Sequence, residues 1–369
     1  MITINNNMYV LDTDNTSYAF AVLGSGQLEH LYYGRKLHAN EAVMTEKHTF
    51  IPGNTNVYNK DYSSYSLEDV CLEMSSLGKG DIREPFIEVT YPNGSSTTDM
   101  VFDRAEIIQG KEEYDTLPGS YDDNGEVEQL VIYLKDRNYN LTLELHYYVY
   151  EKCDIITRSA KLVNSGNESV RLERLMSMQL DLNESDYELS FFNGAWAREM
   201  NRSRIPIRAG KYVNESVTGT SSNRANPFFM IGRSSTTEDY GECYGFNLIY
   251  SGNHYEAAQV NSYGKLRLVS GINPATFSYI IEAGKCFEAP EAVLTYSYKG
   301  YNRMSHNMHE FVRKHIVRGS WRDKERPVLI NSWEAAYFNI NERKLVKLAK
   351  AAKDTGVELF VMDDGWFGE

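Results

Sequence analysis

Short stretches in which apolar and polar residues alternate dominate the first 300 residues of this 369-residue chain. The stretch 141–150 begins with Leu, Thr, Leu, Glu and Leu and continues into aromatic and β-branched residues, which is the composition of a half-buried strand. The Asn-Gly dipeptides at 93–94 and 124–125 predict tight hairpins, because both central residues of such a turn need a positive φ. We therefore predict a mainly β protein in which residues 1–300 form a large antiparallel β-sandwich.

Near residue 302 the apolar period changes from two residues to about 3.6, the period of a helix. Five apolar residues fall on one helical face: Met304, Met308, Phe311, Val312 and Ile316. Gly319 follows them, as is typical after a helix C-terminus, and the stretch 318–326 is highly charged. We therefore assign residues 301–326 to a linker helix and a domain junction.

The remaining residues, 327–369, predict one strand-helix-strand unit. The stretch 327–333 opens with the apolar run Pro-Val-Leu-Ile, which is typical of a strand buried on both faces of a parallel sheet. A helical stripe follows at 345–352, Asn339 and Glu342 have the spacing of a capping box, and residues 357–362 form the second strand. We interpret this unit as the start of a (β/α)8 barrel, which is incomplete in this chain because a whole barrel usually needs roughly 250 residues.

Candidate chemistry lies at the ends of these two strands. Asp363 and Asp364 follow the second strand, and Trp333 ends the first, on the face where barrel enzymes build their active sites. Ionised carboxylates only accept hydrogen bonds, and an indole ring stacks on apolar C–H faces, so the combination suits an uncharged polyhydroxylated ligand such as a sugar. Adjacent residues on an extended chain point to opposite sides, so the two aspartates are poorly placed to act as nucleophile and acid on one bond.

Simpler interpretations stay open for the same residues. The Asp-Gly step at 364–365 is also a common turn signal, and Trp333 could be an ordinary core residue. His306 and His309 are three residues apart on the predicted helix, but without a third ligand nearby they favour a solvated face over a metal site. No metal and no cofactor is predicted.

Composition narrows the possible partners. A net charge of −13 argues against nucleic acid or an anionic membrane surface as partner. The four cysteines lie far apart with no C-x-x-C pair, which fits neither a zinc site nor a disulfide framework. The first residues have no basic segment followed by an apolar core, so we expect a cytoplasmic protein.

Four separated stretches resemble the α-galactosidases of glycoside hydrolase family 36, the melibiase or raffinose-degrading enzymes. Two are in the predicted barrel: Asn-Ser-Trp-Glu-Ala-Ala-Tyr-Phe at 331–338 and Val-Glu-Leu-Phe-Val-Met-Asp-Asp-Gly-Trp-Phe-Gly at 357–368. Two are in the predicted sandwich: Gly-Lys-Gly-Asp-Ile-Arg-Glu-Pro at 78–85, and Gly-Ala-Trp-Ala-Arg-Glu at 194–199 leading to 219–222 and 226–229. The four stretches occur in the same order as in the family, and the resemblance covers essentially the whole chain.

The resemblance implies an amino-terminal β-supersandwich, a (β/α)8 catalytic barrel and a small carboxyl-terminal β domain, commonly in a homo-oligomer. It implies retaining hydrolysis of terminal α-linked galactose from melibiose, raffinose and related sugars without a cofactor. Asp363 and Asp364 match the aspartates that hold the galactose hydroxyls, and Trp333 matches a barrel tryptophan near the pocket. Trp196 matches a sandwich tryptophan on a loop that reaches an active site. Where some members carry an acidic residue on another pocket loop, this sequence has Lys47.

The resemblance assigns no catalytic residue to this chain. The family nucleophile is an aspartate in a Lys-x-Asp motif on a later barrel strand, and the acid/base aspartate lies further on, so we expect these 369 residues to hold only the substrate-orienting part and to be inactive alone. Two alternatives remain at this stage. One is a non-catalytic carbohydrate-binding or assembly module, and the other is a raffinose-synthase-type galactosyltransferase.

Overall fold

The computed structural model describes residues 1–38, 56–63, 66–221 and 223–367, and most of their regular structure is β. The chain divides into two compact units, Met1–Ile316 and Val317–Glu369. The described residues of the first unit contain twenty strands and one α-helix: β1 Ile2–Asn5, β2 Met8–Asp12, β3 Thr16–Val22, β4 Leu28–Arg35, β5 Ile87–Thr90, β6 Met100–Gln109, β7 Glu128–Asp136, β8 Leu141–Tyr150, β9 Ile155–Asn164, β10 Val170–Leu182, β11 Glu188–Ala195, β12 Arg198–Pro206, β13 Gly210–Glu215, β14 Ala225–Gly232, β15 Cys243–Ile249, β16 His254–Val260, β17 Leu266–Ile272, β18 Tyr279–Ile281, β19 Cys286–Glu288, β20 Glu291–Ser297 and α1 Gly300–His315. Those of the second unit contain β21 Leu329–Asn331, α2 Trp333–Ala336, α3 Glu342–Asp354 and β22 Leu359–Val361.

Strands β1 to β20 form three antiparallel sheets. The four-stranded sheet has the order β1-β2-β3-β4, and the ten-stranded sheet has the order β12-β11-β14-β15-β20-β9-β8-β7-β6 with β19 also paired to β9. The six-stranded sheet has the order β13-β16-β17-β10-β18 with β5 also paired to β10. Buried side chains from all three sheets, such as Phe20, Tyr147 and Met178, share one core cluster. The predicted mainly β class and antiparallel sandwich are confirmed.

The two predicted tight hairpins are wrong, although both segments do turn. Gly94 and Gly125 have positive φ, of 80° and 67°, but neither preceding asparagine does. The turn at Gly94 joins β5, which pairs with β10, to β6, which pairs with β7, so it connects two different sheets. Gly125 lies within the long connection from β6 to β7. The dipeptides therefore marked turns correctly, but pairing in the sheets decided which strands became neighbours.

A buried ion pair lies between the three sheets. Glu73, on the segment that connects β4 to β5, is fully buried and lies 3.1 Å from the Arg158 guanidinium on β9. Tyr18 of β3 and Tyr147 of β8 donate hydrogen bonds to the Glu73 carboxylate at 2.7 and 2.8 Å. The Nδ1 atom of His30 on β4 lies 2.6 Å from the same carboxylate. Residues of the four-stranded sheet and of the ten-stranded sheet therefore contact the same carboxylate, that of Glu73.

Arg158 extends this network to the third sheet. Its guanidinium donates to the main-chain carbonyl of Gln179 on β10, in the six-stranded sheet, and to the carbonyl of Glu73 at 3.1 Å. Burial alone would raise the pKa of the Glu73 carboxyl, but Arg158 and the hydrogen bonds from His30 and Tyr18 outweigh it and hold that pKa below its usual value. Glu73 is therefore an anion in the folded protein.

Helix α1 packs on the sandwich through one face, but not quite through the predicted face. Met304 and Phe311 are buried as predicted, whereas Val312 is 43% exposed, so its assignment to the packed face was wrong. Asn307 takes a place in the packed face instead, and its side-chain amide donates to Thr295 of β20 at 3.1 Å. Because Asn307 is polar, the pattern of apolar residues in the sequence could not place it on the packed face.

The second unit contains the predicted strand-helix-strand arrangement. β21 and β22 pair in parallel, with Leu329 opposite Leu359 and Asn331 opposite Val361. The predicted capping box at Asn339 is wrong by two residues, because Asn341 caps α3 by accepting from the Lys344 N–H at 3.0 Å. The boundaries of the three predicted domains stay a prediction. No helix among the described residues is both long enough and apolar enough to cross a bilayer.

We expect Glu73→Gln to destabilise the chain by about 3–5 kcal/mol, because it leaves the buried Arg158 cation without its counter-ion. Since the folded pKa of Glu73 is lowered, its stabilisation is present above the unfolded carboxyl pKa of about 4.3 and is lost as the pH falls through the folded pKa. The variant should therefore lose less stability than the parent on acidification. Urea unfolding at pH 7 and at lower pH measures both effects.

Glu126→Gln is the matched control, because Glu126 pairs with Lys152 at 3.1 Å on the exposed surface. Solvent screens such a pair, so this variant should change the free energy of unfolding little. Equal losses for the two variants at pH 7 would contradict the role given to Glu73.

Candidate functional site

The parallel strands β21 and β22 bring Asn331 and Asp363 together. Asn331 is the last residue of β21, and Asp363 lies two residues beyond the end of β22. The Asn331 side-chain amide donates to Asp363 Oδ2 at 2.7 Å, and the main-chain N–H of Asp364 donates to Asp363 Oδ1 at 2.8 Å. Because both oxygens accept a hydrogen bond, the orientation of the Asp363 carboxylate is fixed before any ligand binds. The Asp364 side chain is exposed.

Ser332 links the same two strand ends through the main chain. It is buried, its N–H donates to the Val361 carbonyl at 3.0 Å, and its hydroxyl accepts from the Asp363 N–H at 3.2 Å. Asn331 Oδ1 also accepts from the Trp333 N–H at 3.1 Å. Sequence analysis did not single out Asn331 and Ser332 individually. The sequence does contain a signal that could have identified them, because these two polar residues directly follow an apolar run at the edge where the aspartates were expected.

Trp333 begins helix α2 instead of ending the strand, and it belongs to an aromatic cluster. Its ring meets those of Tyr337 and Phe338 edge to face, with centroids 5.2 and 5.1 Å apart. Trp333 is half-buried, whereas Tyr337 and Phe338 are 52% and 69% exposed. Tyr337 also has a positive φ of 45°, which is a strained conformation for a bulky residue. The three rings therefore form a flat apolar surface on a strained turn at the strand ends.

Gly365 turns the chain immediately after the two aspartates. Its φ is +95°, and a Cβ atom at this position would lie 3.1 Å from the Phe338 Cα. The positive φ and the close approach both require glycine. The turn thereby sets the aspartates against the aromatic segment.

Trp196 lies in the first unit, at the tip of the β11–β12 hairpin. Ala195 and Arg198 are paired, so Trp196 and Ala197 form a two-residue connection in which Ala197 has a φ of 56°. The Trp196 side chain is 91% exposed. Tryptophan is buried in most positions of folded proteins, so this degree of exposure is unusual. Lys47 and Ser222, which the sequence analysis also noted, lie outside the described residues.

The motif at 78–85 forms a buried cluster of charges. Asp81 pairs with Arg83 and Arg267, both at 2.8 Å, and Arg83 also pairs with Asp181 of β10 at 3.1 Å. Burial alone would raise the pKa of Asp81, but Arg267 and Arg83 outweigh it and lower that pKa below its usual value. The motif therefore fastens the segment between β4 and β5 to the six-stranded sheet, which is a structural role.

The polar network and the aromatic cluster lie at the carboxyl ends of parallel strands, the edge at which barrel enzymes place their active sites. Residues 26–282 match the family model of the glycosyl hydrolase family 36 N-terminal domain, and residues 286–369 match the family model of melibiase. The chain belongs to glycosyl hydrolase family 36, which confirms the resemblance described above.

Individual proteins agree with this assignment. Alpha-galactosidase AgaA of Geobacillus stearothermophilus is 39% identical over 365 residues, which are 97% of this chain and 49% of AgaA. The crystal structure of the alpha-galactosidase from Lactobacillus brevis superposes with a TM-score of 0.95 at 38% identity, covering 99% of this chain and 50% of that one. A doubly substituted AgaA solved in complex with raffinose has a TM-score of 0.95 at 37% identity, covering 98% and 50%. The chain thus spans about half the length of these relatives.

We expect Gly365→Ala to destabilise the second unit more than Gly356→Ala does. Both glycines have a φ near 90°, but nothing lies within 4 Å of a Cβ at Gly356, whereas a Cβ at Gly365 meets the main chain of Phe338. The strain of a positive φ, about 1–2 kcal/mol, is therefore common to both variants, and the contact adds to it only at Gly365. Amide hydrogen exchange of residues 327–367 measures the difference, and equal effects would contradict the close approach.

Proposed function

We propose that Asp363, Asp364, Trp333 and Trp196 are substrate-binding residues for an α-galactoside, with Asp363 and Asp364 holding the galactose hydroxyls, and that the whole protein to which this chain belongs hydrolyses terminal α-galactosyl residues. The observation that carries the proposal is the Asp363 carboxylate, fixed by Asn331 at the strand ends beside exposed aromatic rings. A carboxylate held in this way presents its remaining lone pairs to sugar hydroxyls, and aromatic faces accept the C–H side of the sugar ring.

The names of the relatives support the substrate class. AgaA is named an alpha-galactosidase, and its doubly substituted form was crystallised with raffinose, a sugar of the kind expected from the sequence. No cofactor is needed for such a hydrolysis. A cytoplasmic location and a homo-oligomeric whole protein belong to the same proposal, as do a sandwich domain at 1–300, a junction at 301–326 and the start of a barrel at 327–369.

We assign the two aspartates to substrate orientation and not to bond cleavage. Retaining hydrolysis needs two carboxylates about 5 Å apart that flank the scissile bond, one as nucleophile and one as acid/base. Asp363 and Asp364 are adjacent on the chain, and both oxygens of Asp363 already accept hydrogen bonds. The reacting pair is therefore proposed to come from other barrel strands of the whole protein. One carboxylate would attack the anomeric carbon, and the other would protonate the leaving oxygen and then activate water.

In the whole protein, Asp363→Ala should lower kcat/KM on an aryl α-galactoside by at least about tenfold, since a hydrogen bond to a charged group contributes about 1.5–3 kcal/mol. Asp323→Ala is the matched control, because Asp323 is an exposed aspartate of the same unit. The 369-residue chain alone should show no turnover. Turnover by that chain which is lost on Asp363→Ala would overturn the assignment to orientation.

Two further measurements separate the alternatives. Galactose binding by the whole protein in calorimetry, without turnover, would identify a non-catalytic binding module. Transfer of galactose to an added sugar acceptor in place of water would identify a galactosyltransferase. Release of free galactose from raffinose is the result expected of the hydrolase.

A further inference from the structure

A buried histidine lies beneath the hairpin that carries Trp196. His254, the first residue of β16, is fully buried, and so is Glu256, two residues further along the same face of the strand. His254 Nδ1 and Glu256 Oε1 are 3.1 Å apart. Neither atom has an aligned hydrogen-bond partner among the described residues, so the two side chains are held together by charge rather than by a well-formed hydrogen bond.

His254 directly, and Glu256 through Asn214, also hold the segment that follows residue 222. His254 Nε2 lies 2.9 Å from the main-chain carbonyl of Ala225, to which a protonated nitrogen donates. The Asn214 amide donates both to Glu256 Oε2 at 2.7 Å and to the Asn226 carbonyl at 2.8 Å. His254, Glu256 and Asn214 together therefore fix two consecutive residues of β14, Ala225 and Asn226.

That same segment lies beside the β11–β12 hairpin, close to its turn. The Asn193 side-chain amide donates to the Arg224 carbonyl at 3.0 Å, and the Asn226 amide donates to the Phe192 carbonyl at 3.2 Å. A Cβ atom on Gly194 would lie only 2.7 Å from the Asn223 carbonyl, so the two segments pack with no space between them. Trp196 is two residues further along, and its position depends on this contact.

While Glu256 is ionised, the protonation state of His254 decides whether these contacts can all form. Only the imidazolium has a proton on both nitrogens, one for Ala225 and one facing Glu256. If the neutral ring keeps the Nε2 proton, bare Nδ1 faces the carboxylate as a second acceptor. If it keeps the Nδ1 proton, the Ala225 carbonyl loses its donor.

Other charged groups near His254 favour the cation. Burial by itself would lower the pKa of His254, but Glu256 outweighs it and raises that pKa above its ordinary value, and Glu215 of β13 acts in the same direction. Ile272, the partner of His254 on β17, does not titrate. A raised pKa means that the stabilisation is present at low pH and is lost as the pH rises through the folded pKa.

We propose that His254 and Glu256 are positioning residues that hold the segment beside the turn of the Trp196 hairpin, and that deprotonation of His254 loosens that turn. The consequence for sugar binding rests on the proposed function, whereas the effect on the hairpin does not. The experiment therefore follows Trp196 in the 369-residue chain without sugar. Replacing Trp321, Trp333 and Trp366 with Phe leaves Trp196 as the only tryptophan.

Time-resolved fluorescence anisotropy of this chain should show Trp196 becoming more mobile as the pH rises through a single titration above the ordinary histidine range. Glu256→Gln should move the midpoint to lower pH, because the attracting carboxylate is gone. His254→Asn should abolish the titration. At one fixed pH, both variants should exchange the amide hydrogens of residues 193–199 about tenfold faster, the change expected for loss of one hydrogen bond of about 1.4 kcal/mol.

His146→Gln is the matched control, because His146 is a buried histidine of the ten-stranded sheet that contacts Gln129 and not the hairpin. It should leave both signals unchanged. A titration that persists with the same midpoint in His254→Asn, or the absence of any titration together with unchanged exchange in Glu256→Gln, would overturn the proposal. If His254→Asn does not fold, the nearly isosteric Glu256→Gln decides the matter alone. Failure of galactose to bind would overturn the proposed function but not this inference.

Discussion

The sandwich of this protein depends on the buried pair between Glu73 and Arg158. Each ion would be costly in the interior alone, and it is tolerated because residues of all three sheets satisfy its hydrogen-bonding capacity. The pair also restricts how the sheets can meet, since a change of register would bury an unpaired charge. The ten-stranded sheet that it anchors carries the β11–β12 hairpin at one edge and receives helix α1 through β20 and β15.

Two buried carboxylates of the sandwich each face a histidine, and the comparison shows why they serve different purposes. The Glu73 carboxylate accepts from two tyrosines and faces Arg158 as well as His30, and these contacts together keep it an anion. Glu256 has one amide donor and a histidine that is not aligned with it. Burial raises the pKa of Glu256 and His254 opposes that rise. The first arrangement joins three sheets and weakens only on acidification, whereas the second is proposed to weaken as the pH rises and His254 loses its proton.

The strand ends of the second unit combine a rigid polar part with an exposed aromatic part. The network of Asn331, Ser332 and Asp363 is closed by hydrogen bonds across the two parallel strands, which fixes a carboxylate where a ligand could meet it. Trp333 and its neighbours supply flat apolar surface beside that network. Gly365 makes this possible, because its positive φ turns the chain with no side chain against Phe338. In the proposed function, both the hydroxyls and the C–H face of the sugar would therefore be recognised by this one pair of loops.

The sequence alone determined the class of fold, the change from sandwich to strand-helix-strand near residue 300, the family, and the acidic and aromatic residues at the strand ends. These depend on local periodicity and on short motifs, which are read along the chain. It did not determine that the Asn-Gly turn at 93–94 would connect different sheets, that Asn341 would cap α3, or that the motif around Asp81 would be a buried charge cluster. The tertiary structure decided these, and it alone joined His254 to a hairpin some sixty residues away, because burial and pairing are set by contacts between distant parts of the chain.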